Sequence, residues 1–305
     1  MADETAAALA ARVRAAFPDL AFSRAALIER GEDHQVLVLD DRYVFRFPRF
    51  SHHPTGLRLE LAALGALKGR CAVPMPDYRY VAAGGAFAGY EMIDGVELTP
   101  ERFAALDRGV QERVLAQVAD FLSAIHSLTT SDVEARLGET PKEWPSGGSP
   151  ADQAADVRKR RCGHIARAFP ALLPIVDGFL ARFEQSPGGA ERWTHSDVTC
   201  DHLLLSPAGD RLAGVIDFGD VEIGDPAYDF GYLRSYGDWA PAHVFARYAF
   251  KDVDPGLLQR SHWQHVRYRI ARLGEAIEQG WDARASEIAA ALPALAAALD
   301  TQAAP

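Results

Sequence analysis

The chain has 305 residues, of which 48% are hydrophobic and 24% are charged, and its formal net charge is −10 at pH 7. This length and composition indicate a globular protein with one large domain or two lobes, each able to bury a core. No apolar run approaches the roughly 18 residues of a membrane span, and no Lys/Arg cluster is long enough to follow a phosphate backbone, so we expect neither membrane insertion nor nucleic-acid binding.

The N-terminus and the cysteines indicate a reducing, cytoplasmic setting. The first residues, Met1 to Glu4, are acidic where a secretory signal peptide would be basic. The cysteines Cys71, Cys162 and Cys200 are far apart and have no C-x-x-C spacing, which is typical of reduced thiols. We therefore expect a cytoplasmic protein, and we expect it to be a monomer.

The first third of the chain predicts a helix followed by a small antiparallel sheet. Apolar residues recur at helical spacing near the N-terminus, and short alternating segments with strand character follow. The Asp40-Asp41 pair between two of these segments predicts a tight hairpin. In chain order the predicted elements are a helix at Thr5–Phe17, strands at Ala26–Glu29, Gln35–Asp40 and Tyr43–Phe47, a helix at Gly56–Leu67, and strands at Asp77–Ala82 and Gly89–Ile93.

Most of the chain after Gly95 has helical patterning. A long amphipathic helix ends near Ile125, and the segment Gly138–Pro150, rich in Pro, Gly and Ser, predicts a surface loop. Further helices are predicted at about Ala151–Phe169, Leu173–Glu184, Pro241–Phe250, Pro255–Gln279 and Arg284–Leu299.

The stretch Trp193–Tyr232 interrupts this helical pattern with a predicted hairpin. Two short apolar runs, Leu203–Leu205 and Leu212–Ile216, are each followed by a turn signal, at Ser206–Asp210 and Phe218–Asp220. Acidic or imidazole groups at neighbouring strand ends can share a divalent cation. The polar residues of the stretch are His195, Asp197, Asp201, His202, Asp217, Asp220, Glu222, Asp225 and Asp229.

Two other interpretations of this stretch remain open at this point. The hairpin is also compatible with an ordinary β-meander whose carboxylates are merely solvated. The residues around His195 and Asp201-His202 also resemble part of a metallohydrolase cluster, although such sites need several His ligands close together. Here the middle His is absent, and no later His stands in a comparable motif.

The complete pattern resembles a known family. His195-Ser196-Asp197 followed by His202, and then Ile216–Gly219, is similar to the catalytic loop and the metal-binding D-F-G of protein kinases. The order H-x-D-x-x-x-x-H, I-D-F-G-D and G-D-P-x-x-D-F is more similar to the aminoglycoside phosphotransferases, particularly those that modify the 2″-hydroxyl. The resemblance spans roughly residues 25–235.

The resemblance implies an α+β, two-lobe protein-kinase-like fold. The small N-lobe, residues 1–94, would hold an antiparallel sheet and a helix and bind the nucleotide. The larger, mostly helical C-lobe, residues 95–305, would carry the catalytic and substrate-binding residues.

The resemblance also implies roles in the reaction. Asp197 would be the catalytic residue, and His202 and Asp217 would hold Mg²⁺, with Asp201 as the alternative to His202. Because imidazole binds a metal only when neutral, activity is expected to fall in acid. His195 would brace the loop, and Asp225 and Asp229 would serve as scaffold.

The nucleotide, ATP or GTP, would lie on the N-lobe. Arg46 stands where the family most often has a phosphate-binding Lys, and Glu60 matches the helix carboxylate that pairs with that cation. Arg49 is the alternative to Arg46, because Lys and Arg differ in reach and geometry. The expected nucleotide-binding residues are Arg46, Glu60, His34 in the turn Gly31–His34, and Glu91 and Ile93 in the segment that resembles the hinge.

The implied acceptor is an aminoglycoside, and an acidic protein favours such cationic small molecules. Alternatives are a kinase for a metabolite such as choline or a sugar, since the fold does not fix the substrate, and a nucleotide-binding pseudoenzyme. The candidate acceptor-binding residues are Asp220, Glu222, Asp238, Trp239, Trp263 and Tyr268.

Overall fold

The computed structural model describes residues 4–28, 34–49 and 56–302. Its strands are β1 (Ala25–Ile28), β2 (His34–Leu39), β3 (Tyr43–Pro48), β4 (Tyr80–Val81), β5 (Ala88–Glu91), β6 (Val96–Glu97), β7 (Arg192–Thr194), β8 (Leu203–Leu205), β9 (Leu212–Val215) and β10 (Glu222–Gly224). Its helices are α1 (Ala6–Ala16), α2 (Gly56–Leu67), α3 (Pro100–Ala104), α4 (Arg108–Ile125), α5 (Thr130–Leu137), α6 (Pro150–Val157), α7 (Gly163–Ala168), α8 (Leu173–Phe183), α9 (Ala227–Tyr232), α10 (Trp239–Arg247), α11 (Leu257–Glu278) and α12 (Asp282–Gln302).

The chain folds into two compact units, each assembled from several segments. The first contains the N-terminal part up to Leu98 together with Leu128–Lys142 and Asp201–Val221, and the second contains Thr99–Ser127, Glu143–Cys200 and the part from Glu222 onward. The first unit therefore includes α5 and the β8–β9 hairpin, which come later in the chain. The predicted lobe boundary between residues 94 and 95 divides the sequence at one point, and it stays a prediction.

A five-stranded antiparallel sheet in the order β1-β2-β3-β5-β4 forms the centre of the first unit. Asp40 and Asp41 have φ of 51° and 52°, the Arg42 amide donates to the Leu39 carbonyl at 2.9 Å, and Leu39 pairs with Tyr43, so the predicted tight hairpin is confirmed. The strand predicted at Asp77–Ala82 shortens to β4, because only Tyr80 and Val81 find pairing partners on β5.

The core of the first unit lies between the sheet and α1. Leu9 and Val13 of α1 pack with Leu37 of β2 and with Phe45 and Phe47 of β3, and all five are buried. Apolar residues recur about every 3.6 positions in the helix, and the strands are rich in β-branched and aromatic residues. Together these patterns bring the side chains to one core. The packing fixes β3, the central strand that carries Arg46.

Ion pairs tie α2 to α5 on the first unit. Arg70 pairs with Asp132 at 2.5 Å, and Arg58 pairs with Glu139 at 2.9 Å. The N-terminus of α5 is closed by a capping box between Thr129 and Asp132, which gives Asp132 a fixed position. These contacts hold α2, the helix on which Glu60 lies.

The second unit is built around α11, which packs against α9 and α12. Its apolar face, including Ile270 and Leu273, meets Phe179 of α8 and Leu292 of α12 in one buried cluster. The helix predicted at Ala151–Phe169 is interrupted by a π-helical turn at Arg158–Cys162 between α6 and α7. Among the described residues, no helix combines the length and the apolar character that crossing a membrane requires.

Gly274 in α11 gives a stability prediction. A Cβ at this position would lie 2.5 Å from Cβ and 3.0 Å from Cα of Arg161, so we expect Gly274→Ala to lower the free energy of unfolding by ~1–3 kcal/mol. Gly178 in α8 is the matched control, because a Cβ there meets nothing within 4 Å and Gly178→Ala should raise the free energy of unfolding by ~0.5–1 kcal/mol. Urea unfolding followed by circular dichroism measures both changes. Equal stability of Gly274→Ala and the wild type would contradict this packing.

Candidate active site

The β8–β9 hairpin brings His202 and Asp217 together. Leu203 pairs with Val215 and Leu204 with Gly214, and the Ile216 amide donates to the His202 carbonyl at 3.0 Å just beyond the strands. As a result His202 Nε2 lies 3.5 Å from Asp217 Oδ2. The predicted hairpin is confirmed, and the structure places the two predicted metal ligands beside each other.

Arg46 contacts the other oxygen of the Asp217 carboxylate. Its Nη1 lies 2.6 Å from Asp217 Oδ1, although Arg46 is only 6% exposed. Asp217 itself has φ of 62°, a left-handed conformation that an Asp adopts only where its surroundings hold it. One Asp217 oxygen therefore faces the buried cation, and the other faces His202.

Arg46 uses its two terminal nitrogens for different partners. Nη1 also donates to Glu60 Oε1 at 3.4 Å, and Nη2 lies 3.2 Å from His34 Nδ1. Burial and the nearby positive charge of Arg46 lower the pKa of His34 to about 4, so the ring is neutral and its Nδ1 accepts from Arg46. A lysine, with one nitrogen, could not reproduce this fork.

Glu60 is fully buried on α2 and is held by a second donor, the hydroxyl of Tyr78, at 2.8 Å. Burial raises the pKa of Glu60, while Arg46 and the Tyr78 hydroxyl oppose that rise. Burial alone would lower the pKa of Arg46, but Glu60 and the other acidic groups around it raise that pKa well above its ordinary value. Arg46 therefore keeps its charge inside the first unit.

The residues at the hairpin have the chemistry of a partial magnesium site. Mg²⁺ commonly takes one or two protein donors and completes its shell with water and phosphate oxygens. Asp217 Oδ2 and His202 Nε2 could serve as such a pair, because the 2.6 Å contact of Arg46 is to the other oxygen of Asp217. Among the described residues, no group of three or more His, Cys, Asp or Glu side chains is arranged to hold a metal by itself.

The Asp197 loop in the second unit is fixed by its backbone. Asp229, which is fully buried, accepts from the amide of His195 at 3.0 Å and from the amide of Ser196 at 2.8 Å. Ser196 has φ of 64°, and its carbonyl accepts from the Tyr232 hydroxyl at 2.9 Å. These bonds hold the strained residue that precedes Asp197, so Asp229 acts as a scaffold for that loop.

Two further scaffold predictions have contacts in the second unit. The Asp197 amide donates to His195 Nδ1 at 3.3 Å, so His195 braces the loop as expected. Asp225 pairs with Arg260 at 2.7 Å and accepts from the Gly189 amide at 3.0 Å. His195 therefore stabilises the backbone at the predicted catalytic position, and Asp225 stabilises the backbone at Gly189.

A buried hydrogen-bond chain behind Asp229 was missed by the sequence interpretation. His126 Nε2 lies 3.0 Å from Asp229 Oδ2, and His126 Nδ1 lies 2.8 Å from the Tyr248 hydroxyl. Since the carboxylate accepts, His126 donates through Nε2, and its Nδ1 continues the chain to the Tyr248 hydroxyl. Only the isolated His126 was visible in the sequence, and a lone His on a helix does not indicate such a chain.

Two of the candidate acceptor-binding residues lie around the Asp197 loop. Glu222 Oε1 accepts from the Ser196 hydroxyl at 2.9 Å, and burial raises the pKa of Glu222. Burial also raises the pKa of Tyr268 to about 12, and the negative charge of Asp197 adds to that rise. Glu222 therefore contacts this loop directly. Tyr268 is close enough to the loop for the charge of Asp197 to raise the pKa of its hydroxyl.

The other acceptor candidates have different surroundings. Asp220 is exposed, and the side chain of Asp238 is 99% exposed with only a 3.7 Å contact to an arginine. The ring of Trp239 is covered by the Arg108 guanidinium, 3.4 Å from its centroid. Trp263 stacks on a phenylalanine of α8 and packs against the helical core, where its ring faces protein.

The predicted base-binding residues lie at the end of β5. The Glu91 side chain pairs loosely with Arg42 at 3.4 Å, and the Met92 amide donates to the Arg42 carbonyl at 2.7 Å. Ile93 packs beside Gly214, where a Cβ would lie 3.1 Å from its methyl groups. The first three residues of the turn predicted over the phosphates, 31–33, lie outside the described residues.

Comparison with known proteins matches residues 24–267 to the model of the phosphotransferase enzyme family. The fold is similar to the GDP and kanamycin complex of APH(2″)-IIIa, with a TM-score of 0.76 and 23% identity over 95% of this chain and 98% of that one. The streptomycin–ATP ternary complex of APH(2″)-IIa has a TM-score of 0.62 and 16% identity over 94% and 97%. Macrolide 2′-phosphotransferase type I has a TM-score of 0.62 and 20% identity over 96% and 99%. The predicted fold class is confirmed.

The metal assignment of His202 is tested by two substitutions. His202→Ala removes one of the two predicted protein donors and should raise the Mg²⁺ concentration needed for nucleotide binding ~10-fold or more. His202→Asn offers an oxygen in place of the imidazole, so its Mg²⁺ requirement should stay closer to that of the wild type. Mn²⁺ binding followed by electron paramagnetic resonance provides a readout that needs no turnover. Asp201→Ala is the control, and wild-type metal affinity in His202→Ala with a loss in Asp201→Ala would move the ligand to Asp201.

Proposed function

The chain belongs to the phosphotransferase enzyme family, and on that premise we propose that it transfers the γ-phosphoryl group of a nucleoside triphosphate to a hydroxyl of a small molecule. The observation that carries this proposal is the buried Arg46, which contacts Glu60, Asp217 and His34 within the first unit. A buried cation held by two carboxylates is suited to phosphate, because it can exchange one of those anionic partners for a phosphate oxygen.

Phosphoryl transfer requires positioning and charge neutralisation more than covalent participation by the protein. In the proposed reaction Arg46 binds the α- and β-phosphates, and Glu60 keeps the guanidinium in place. Asp197 accepts a hydrogen bond from the acceptor hydroxyl and orients it in line with the γ-phosphorus. When bound through His202 and Asp217, Mg²⁺ would neutralise charge on the phosphate oxygens.

We propose ATP or GTP as the phosphoryl donor. Similar structures were solved with GDP in one case and with ATP in another, so both purine nucleotides are supported by the fold's relatives. Glu91 and Ile93 lie at the end of β5, in the segment that resembles the hinge, where backbone groups would bind the base.

An aminoglycoside is the first candidate acceptor. Kanamycin and streptomycin occupy similar structures, and the net charge of −10 favours cationic molecules. Within the second unit, Glu222 offers a carboxylate and Tyr268 an aromatic ring around the Asp197 loop. A small metabolite is the second candidate. It is favoured by the buried cation Arg267, whose positive charge acts to lower the pKa of Glu222.

Asp197→Asn tests the proposed chemistry. Loss of a positioned general base should lower kcat by ~10²–10⁴-fold, while the nucleotide affinity and the melting temperature stay close to those of the wild type. A panel of aminoglycosides, macrolides and hydroxylated metabolites, with release of labelled phosphate into the acceptor as the readout, identifies the substrate for this measurement. Asp252→Asn, an exposed acid outside this loop, is the control. Near-wild-type turnover of Asp197→Asn would remove Asp197 from the catalytic role.

A further inference from the structure

Arg267 on α11 is a buried cation whose terminal donors have no partner in the described part of the chain. The residue is only 9% exposed, its Nε donates to Gln264 Oε1 at 2.8 Å, and its guanidinium carbon lies 4.4 Å from the centroid of the Tyr228 ring. Neither terminal nitrogen donates a hydrogen bond to a described residue, yet neither is sealed from solvent. A guanidinium carries five donors, so the terminal nitrogens of Arg267 keep donors that a ligand can use.

Glu222 supplies the opposite charge close to Arg267. Its Oε1 accepts from the Ser196 hydroxyl at 2.9 Å, and although burial raises its pKa, the positive charge of Arg267 acts against that rise. Gln264, which accepts from Arg267 Nε, donates to Gln153 Oε1 at 3.1 Å, and Gln153 donates to the Gly147 carbonyl at 2.9 Å. A Cβ at Gly147 would lie 2.9 Å from Glu222 Oε1, so these contacts connect Arg267 with Glu222, and no ion pair joins the two side chains directly. Opposite charges that are partly buried without touching are poorly compensated, and a molecule that contacts both would compensate them.

This pair adjoins the loop that carries the predicted catalytic residue. Glu222 binds the side chain of Ser196, the residue before Asp197, and Tyr232 binds the Ser196 carbonyl at 2.9 Å. The Tyr232 ring lies 5.2 Å from the Tyr228 ring, and the Arg267 guanidinium lies 4.4 Å from that same Tyr228 ring. Arg267, Glu222 and the Asp197 loop therefore lie in one part of the second unit.

We infer that Arg267 and Glu222 form a dipolar subsite for the acceptor, in which Arg267 binds a carboxylate and Glu222 binds an ammonium group of the same molecule. The fork of a guanidinium matches the two oxygens of a carboxylate, and the free oxygen of Glu222 matches an ammonium. The inference rests on the proposed function, since it names the chemistry of the acceptor that Asp197 would orient. The subsite corresponds to the second candidate acceptor, a hydroxylated metabolite, because an aminoglycoside has ammonium and hydroxyl groups but no carboxylate.

Three matched probes separate these chemistries. Serine, serinamide and 2-amino-1,3-propanediol share an ammonium and a hydroxymethyl group, and they differ only in the group that would face Arg267. We expect serine to bind the wild-type protein about tenfold tighter than the diol, with the amide between them, because only serine offers a charge-assisted bidentate contact. Saturation-transfer NMR measures binding directly and needs no phosphoryl transfer.

Variants assign the selectivity to the two side chains. Arg267→Gln should reduce the serine-to-diol ratio to about one, and Arg267→Lys, which keeps the charge but loses the fork, should give an intermediate ratio. Glu222→Gln, which keeps an acceptor for Ser196, should weaken all three probes. Arg269→Gln is the control, because Arg269 lies on the same helix and pairs with Glu287 at 3.8 Å. Thermal unfolding of each variant confirms that it is folded.

Two outcomes would overturn the subsite. If the diol binds the wild type as well as serine does, the region recognises amino alcohols of the aminoglycoside type and no carboxylate. If Arg267→Lys and Arg267→Gln are folded and keep the wild-type ratio, or no probe binds the wild type, Arg267 serves packing alone. A failure of the proposed phosphoryl transfer would appear separately, as absent turnover by the wild-type protein with intact and selective probe binding.

Discussion

The first unit depends on one constraint, which is that the charge of Arg46 must be compensated at a buried position. Placing a guanidinium on the central strand of the sheet is favourable only if carboxylates meet it with good geometry, because an unpaired buried charge costs several kcal/mol. Glu60 and Asp217 supply that compensation, at 3.4 Å and 2.6 Å, from a helix and from the end of a hairpin. The shorter contact is to Asp217, so the cation is already directed to the predicted metal ligand.

Other parts of the molecule hold this charge cluster and the catalytic loop in place. In the first unit, Tyr78 fixes Glu60, and ion pairs between α2 and α5 fix the helix that carries it. In the second unit, Asp229 holds the strained backbone at Ser196. His126 hydrogen-bonds to Asp229, and Tyr248 hydrogen-bonds to His126. In both units a predicted functional side chain lies at the end of a chain of buried hydrogen bonds, which is how a protein keeps such groups within a narrow range of positions.

The sequence predicted the features that are encoded locally. The turn signals around β8 and β9 were sufficient to place His202 and Asp217 at adjacent strand ends, and Asp40-Asp41 was sufficient for a tight hairpin. Tyr78 and Arg267 were missed because their contacts join distant segments and follow no periodic pattern. Trp263 was proposed for sugar stacking, yet it packs on the helical core, since helical spacing alone does not tell which face of α11 meets protein. The roles in binding and catalysis came from a family resemblance and stay predictions.

The most direct test of this account is a double-mutant cycle on nucleotide affinity between Arg46 and Glu60, measured by calorimetry with ATP and with GTP. Arg46→Met should weaken binding about tenfold or more, because it removes the charge-assisted contacts to phosphate. Glu60→Gln should weaken it less, and the double variant should be no weaker than Arg46→Met, since Glu60 acts only through Arg46. Strictly additive losses, or wild-type affinity in Arg46→Met, would contradict the claim that this buried cation binds the nucleotide.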